Sequence, residues 1–291
     1  MKNLSTFNCR LVACDLDGTL CGSDRDISEE NMEGIRLLCE HGIEFVPTTG
    51  RAFYEMPELI RECPYIRYYI TSNGSAVIDK AANRHYTFGI PRTRVKRILD
   101  IFDDYTTYIM LHAYGNSHVD LSKDTDDYYH KCGMDCGWIN YIRTSDVFHD
   151  DFDTFSRSID EAEMMCVFVA GKEMRNECAE RLISLGDLTV TCSDSQNVEV
   201  FSKRAGKGNS MLALAHHIGA ADSETVALGD SMNDLSMIKA AEVGIAMKNA
   251  CPGLKSEADI VTEYDNDSHV IAHLAKILPI PSKGGRDNAS T

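Results

Sequence analysis

Apolar residues along the chain fall into short runs that end in turn-forming residues, and most runs are followed by a stretch with helical spacing. The run LVACDLDGT, from Leu11, leads into SEENMEGIRLLCEHG, where Met32, Ile35, Leu38 and Cys39 share one helical face. Ser28 is placed to cap the start of that helix and Gly42 to stop it. IEFVPTTGR, YYITSNGSAVID, TVALGDS, VGIAM and DIVTE repeat the strand-like theme. Helices are predicted around YEMPELIREC, NDLSMIKAAE, Pro252 and HVIAHLAKIL. Strands alternating with helices of this length predict an α/β fold on a largely parallel sheet.

The middle of the chain breaks the alternation. PRTRVKRILDIFDDY is an amphipathic helix with Val95, Ile98, Leu99 and Phe102 on one side. The strand-like segments YIMLHA, MMCVFVAG and LTVTC surround a second helix, KEMRNECAERLISLG. DTDDYYHKCGMDCGW concentrates polar and aromatic residues. This stretch is far too long for a surface loop, so residues 83–190 are expected to form a second α/β domain inserted into the first, which comprises 1–82 and 191–291. Only the tail SKGGRDNAST reads as disordered.

The formal net charge of −16 over 291 residues argues against nucleic acid as a partner, because phosphate backbones need a basic footprint. A local basic pocket for one small phosphate remains compatible with it. No run approaches a membrane span, and the start reaches a charged residue too soon for a secretory apolar region. The 11 cysteines are odd in number and scattered, which fits a reduced, cytoplasmic enzyme and not a disulfide framework.

Candidate chemistry gathers at strand ends and one helix start. Asp15-Leu16-Asp17-Gly18-Thr19 follows an apolar run, which places two carboxylates where open α/β sheets bind ligands. One could bind metal and attack while the other trades protons; a solvated acidic turn is the bland alternative. Thr48-Thr49-Gly50-Arg51 ends a second run and offers a hydroxyl and backbone donors to an anion. Gly206-Lys207-Gly208 opens a helix, so a lysine sits at the positive end of a helix dipole, a combination that suits phosphate. Gly229-Asp230-Ser231-Met232-Asn233-Asp234 adds two carboxylates after a further run, and a hard cation such as Mg²⁺ prefers such oxygen ligands.

The ordered set DLDGT, TTGR, GKG and GDSMND resembles the haloacid dehalogenase superfamily, in particular its Cof-type phosphatases, which carry an α/β cap between the second and third motifs. SNG at Ser72 to Gly74, AMKNA and DIVTE also look like that subfamily. The resemblance implies a Rossmann-like parallel-sheet core with an inserted cap, and a Mg²⁺-dependent phosphatase for small phosphorylated metabolites, sugar phosphates foremost. It makes Asp15 the nucleophile and Asp17 the general acid and base. Thr49, Gly50 and Lys207 become phosphate ligands. Asp15, Asp17 (through its carbonyl) and Asp230 become metal ligands, supported by Asn233 and Asp234. Asn73 and Asn249 line the site by family position only, and Arg51 either touches substrate or forms an ion pair. A phosphosugar mutase of the same fold and a non-catalytic phosphate-sensing module are the alternatives.

The assignments make electrostatic sense. A carboxylate attacking a phosphate dianion meets repulsion of about 4 kcal/mol per close pair at an effective dielectric near 20. A cation and Lys207 would offset it. Other groups read as ordinary packing: Cys14 turned away from the site, and Met164-Met165 as core. His112, His118, His130, Cys132 and Cys136 lack any compact zinc spacing. Trp138 either lines a cap pocket or packs. Ser268 stands where this subfamily often has glycine, which leaves one local turn in question.

Overall fold

The structure, a computed structural model, describes residues 4–192 and 196–280. The tail read as disordered, SKGGRDNAST, lies outside the described residues. Five parallel strands form the central sheet in the order Ile260–Val261, Val243–Ala246, Thr225–Gly229, Leu11–Cys14, Glu44–Pro47. The strand from Leu11 is buried throughout, as expected of a central strand covered on both faces. Because all five strands run the same way, their carboxyl ends share one edge. Asp15, Thr48 and Asp230 each stand one residue past a strand on that edge.

The helix Glu29–Glu40 packs on this sheet, with Ser28 Oγ accepting from the Asn31 N–H at its start, as its capping pattern predicts. The last helix, Val270–Ile277, docks against it: Asn31 Oδ1 accepts from the Ile271 N–H at 3.0 Å. Its approach depends on Gly34, where a Cβ would fall 2.7 Å from the Ala272 nitrogen. The turn at Ser268 closes through its N–H to the Asp265 carbonyl, and the next residue, His269, takes the left-handed conformation. The segment predicted as a helix around YEMPELIREC is instead a 3-10 turn, Phe53–Glu55, and one α-turn, Glu58–Arg61, separated at Pro57. Proline bars the residue before it from helical geometry.

A second, six-stranded sheet runs Leu188–Thr191, Asn197–Ser202, Met164–Val169, Thr107–Ala113, Asn116–Asp120, Val147–His149, antiparallel save for its last pair. This sheet continues to Ser202, past residue 190, through a strand whose NVEVFS pattern hides Glu199 among apolar neighbours. Strand alternation splits its side chains between two cores. Ile109, Leu111, Met165 and Val167 face the helices Arg92–Phe102 and Lys172–Ile183. Tyr108, Met110, Met164, Cys166 and Phe168 face the opposite way, toward Tyr129, Ile139 and Ile142. Those three sit on the helices Asp126–Lys131 and Cys136–Ser145, which begin at the capping residues Thr125 and Asp135 inside the polar stretch.

Gly34→Ala would push a methyl into backbone that cannot yield like a side-chain tip. Overpacking of this kind costs about 1–3 kcal/mol. A urea titration should show a lowered midpoint with unchanged slope; an unchanged midpoint would mean the two helices part freely.

Candidate active site

Lys207, the first residue of the helix Lys207–His217, has a fully buried side chain. Its Nζ donates to Asp15 Oδ1 and to Asp234 Oδ1, each at 2.6 Å. Burial by itself lowers an ammonium's pKa, but the two carboxylates outweigh it and hold the lysine above its ordinary value. The lysine read from sequence as a helix-start anion ligand is thus first a clamp between two acids.

Asp234 is saturated by this arrangement. Its Oδ2 accepts from the backbone N–H groups of Asp230 and Ser231, at 3.0 and 3.1 Å, which shapes the turn after the Thr225–Gly229 strand. Asp230 is different, since its Oδ1 is buried with no hydrogen-bond partner. Burial, then the neighbouring Asp234 carboxylate, push Asp230 up to about 7. Burial and Asp234 also push Asp15 well above the usual carboxylate range, against the opposing pull of Lys207. Asp15, Asp230 and Asp234 each present an oxygen within 4.8 Å of the others. Crowded carboxylates with an orphaned buried oxygen are a donor set that fits a hard divalent cation, and Mg²⁺ among them. Asp15 and Asp230 hold the free ligand atoms, while Asp234 fixes the turn that carries Asp230.

Gly18 turns the chain beside them at φ 81°, and a Cβ there would lie 2.6 Å from Asp230 Oδ2. Asn249 donates to the Gly18 carbonyl at 2.7 Å, so it braces this loop and does not line the pocket. Asp17 pairs with Arg51, whose Nε reaches Oδ2 at 2.9 Å while Nη2 reaches Oδ1. Thr49 is buried, and its Oγ1 accepts from the Arg51 N–H at 3.1 Å, which leaves the hydroxyl proton free to donate elsewhere. Asn73 lies behind the wall: its Nδ2 donates to Glu199 Oε2 at 2.8 Å, and Asn233 reaches its Oδ1 at 3.4 Å.

Together Asp15, Asp17, Thr49, Gly50, Arg51, Asp230 and Asn233 line one side of a cavity of about 390 Å³. The second sheet and its helix supply the opposite side, with Met110, His112, Met164, Cys166, Glu199, Trp138 and Tyr141. Met164 therefore borders the pocket, whereas Met165 is core. On this wall, sequence reasoning weighed only Trp138 as a pocket residue. The alternation within YIMLHA and MMCVFVAG separates the two faces, but nothing in it says which face meets the acids. The histidine and cysteine set forms no metal cluster among the described residues; His118 meets His149 at 2.9 Å instead.

The family profile of haloacid dehalogenase-like hydrolases matches residues 12–274. This chain belongs to that family. The hydrolase is 29% identical to phosphatase YwpJ of Bacillus subtilis over 284 residues, 92% of this chain and 99% of that one. It is 28% identical to 5-amino-6-(5-phospho-D-ribitylamino)uracil phosphatase YcsE of the same organism, covering 90% of this chain and 92% of that one. A crystal structure of a haloacid dehalogenase-like hydrolase from Bacteroides thetaiotaomicron superposes with a TM-score of 0.77 at 26% identity, over 93% of this chain and all of that one. The enzyme is thus a hydrolase of the phosphatase kind, and no described helix is long and apolar enough to cross a membrane.

The hydrolase also buries two further carboxyl groups near this pocket. Glu55, in the 3-10 turn after Arg51, is buried, and Asp146 caps the helix of Trp138 and Tyr141. Glu55 Oε1 and Asp146 Oδ2 are both buried without a donor. Burial, then the Glu55 charge, push Asp146 up to about 9. A folded pKa raised from 3.8 contributes stability that is full below the unfolded value and is lost as pH rises toward 9. Asp146→Asn keeps the size of the side chain and removes the titration. Its urea midpoint should gain on wild type steadily from pH 5 to pH 9; a constant difference would show that Asp146 is not raised in the folded protein.

Proposed function

We propose that this enzyme is a Mg²⁺-dependent phosphatase that hydrolyses small phosphate monoesters, sugar phosphates among them, through an aspartyl-phosphate on Asp15. The observation that carries the reading is the Lys207 clamp, which fixes one oxygen of Asp15 beside an open pocket and next to the orphaned oxygen of Asp230. Mg²⁺, when bound by Asp15, Asp230 and the Asp17 carbonyl, supplies positive charge against the phosphate dianion.

Asp15 Oδ1 is held by Lys207, so Oδ2 is the oxygen that attacks phosphorus. The Thr49 hydroxyl and the Gly50 N–H hold equatorial oxygens as the ester P–O bond breaks. Asp17 gives its proton to the leaving alkoxide, which requires it to release one oxygen from Arg51. In the second half Asp17 takes a proton from the water that attacks phosphorus, the Asp15–phosphorus bond breaks, and inorganic phosphate leaves. We read the second sheet, through Ser202, and its helices as a cap that shields this exchange from bulk water and selects the leaving group. The odd, scattered set of 11 cysteines supports a reducing compartment, the cytoplasm, in this reading.

Phosphate release from a panel of small phosphate esters, with Mg²⁺ or with EDTA, tests this reading. Release should require the metal, and Asp15→Asn should lower it by on the order of 10³-fold or more. Undiminished release by Asp15→Asn would remove it as the nucleophile.

A further inference from the structure

The wall facing the acids is chemically uneven. On the sheet, Met110, Cys166 and Glu199 stand side by side on three adjacent strands, with His112 and Met164 paired next to them. The helix Cys136–Ser145 sets Trp138 and Tyr141 one turn apart beside this row, their rings 5.8 Å apart at 87°. Trp138 also meets Phe168 edge-on at 4.9 Å, which fixes the indole against the sheet. Two thioethers, a thiol and two aromatic rings therefore line this side of the pocket beside His112, Glu199 and Glu55.

Two polar side chains of this wall are already engaged, while Glu55, at its edge, keeps one oxygen without a donor. His112 Nδ1 lies 3.2 Å from Ser72 Oγ, and Glu199 Oε2 accepts from Asn73. No serine, threonine, asparagine or glutamine of the second sheet or its helices borders the pocket among the described residues. A polyhydroxylated sugar would set hydroxyls against the sulfur and ring carbon of this row, and hydroxyls buried there unpaired weaken binding. A flat ring would instead lie against polarizable sulfur and stack with indole and phenol.

We propose that the leaving group of the preferred substrate is a planar aromatic or heteroaromatic alcohol, with its ring held by Trp138 and Tyr141 against Met110, Met164 and Cys166. This rests on the phosphatase reading above and narrows it away from sugar phosphates. Trp138 and Tyr141 are then specificity-determining residues that act on the leaving group and leave the phosphoryl chemistry alone.

Trp138 is the only tryptophan in the chain, so tryptophan emission reports on this pocket directly. The test compares benzyl phosphate and a pyridylmethyl phosphate with glucose 6-phosphate and ribose 5-phosphate, in turnover and in quenching of that emission. The ring esters should show the higher kcat/KM and quench at lower concentration. Trp138→Leu should cost the ring esters about 10-fold in kcat/KM while the sugar esters change little, and Trp138→Phe should restore most of the loss. Equal or better use of the sugar esters would overturn the proposal, as would an equal loss on both classes in Trp138→Leu. If no ester turns over, the phosphatase reading fails, and the quenching titration still decides: tighter binding of the ring esters supports the aromatic pocket, and equal or absent quenching overturns it.

Discussion

An ammonium group sealed from water between two carboxylates is the constraint on which the site depends. Lys207 comes from a helix start, Asp15 from the end of the central strand, and Asp234 from a turn past a neighbouring strand. Removing any one of the three would leave buried charge uncompensated, which is strongly destabilising. The clamp also divides labour among the acids. Asp234 spends both oxygens on Lys207 and on backbone N–H groups, so the free oxygens of Asp15 and Asp230 are the ones turned to chemistry.

Around this point the second sheet and the segment leading into it are joined by polar contacts to the turn Ser72–Gly74. Ser72 donates to Glu163 at 2.7 Å and Asn73 to Glu199. Ser72 and Asn73 belong to the turn after the strand Tyr68–Thr71, and both take left-handed backbone conformations. That turn also passes so close to the lysine helix that a Cβ at Gly74 would fall 2.3 Å from Gly206 carbonyl carbon. One short turn thus braces the clamp on one side and the pocket wall on the other.

Much of the acid side was legible in the sequence, because a parallel sheet brings the carboxyl ends of its strands to one edge whatever the intervening chain does. DLDGT, TTGR and GDSMND each end an apolar run, so their convergence follows from strand order. The engagement of each side chain did not follow. Arg51 grips Asp17 and Asn249 holds the Gly18 loop, contacts made across more than thirty residues of chain and set by tertiary packing. The pocket wall was hidden for another reason. Met110, Met164 and Cys166 look like core residues in an alternating strand, and they become lining only because a helix with two aromatic rings stands off the sheet beside them. NVEVFS escaped notice as a strand because its central glutamate is buried against Asn73, a partner far away in sequence.

The most direct test is to trap the covalent intermediate. Asp17→Asn, which lacks the base for its hydrolysis, is mixed with Mg²⁺ and 4-nitrophenyl phosphate, whose phenolate leaves without a proton from Asp17, quenched in acid, and reduced with borohydride. Reduction converts an aspartyl-phosphate to homoserine, which peptide mass spectrometry locates. The account predicts homoserine at position 15 and nowhere else. Homoserine at another aspartate, or none while wild type releases phosphate under the same conditions, would contradict it.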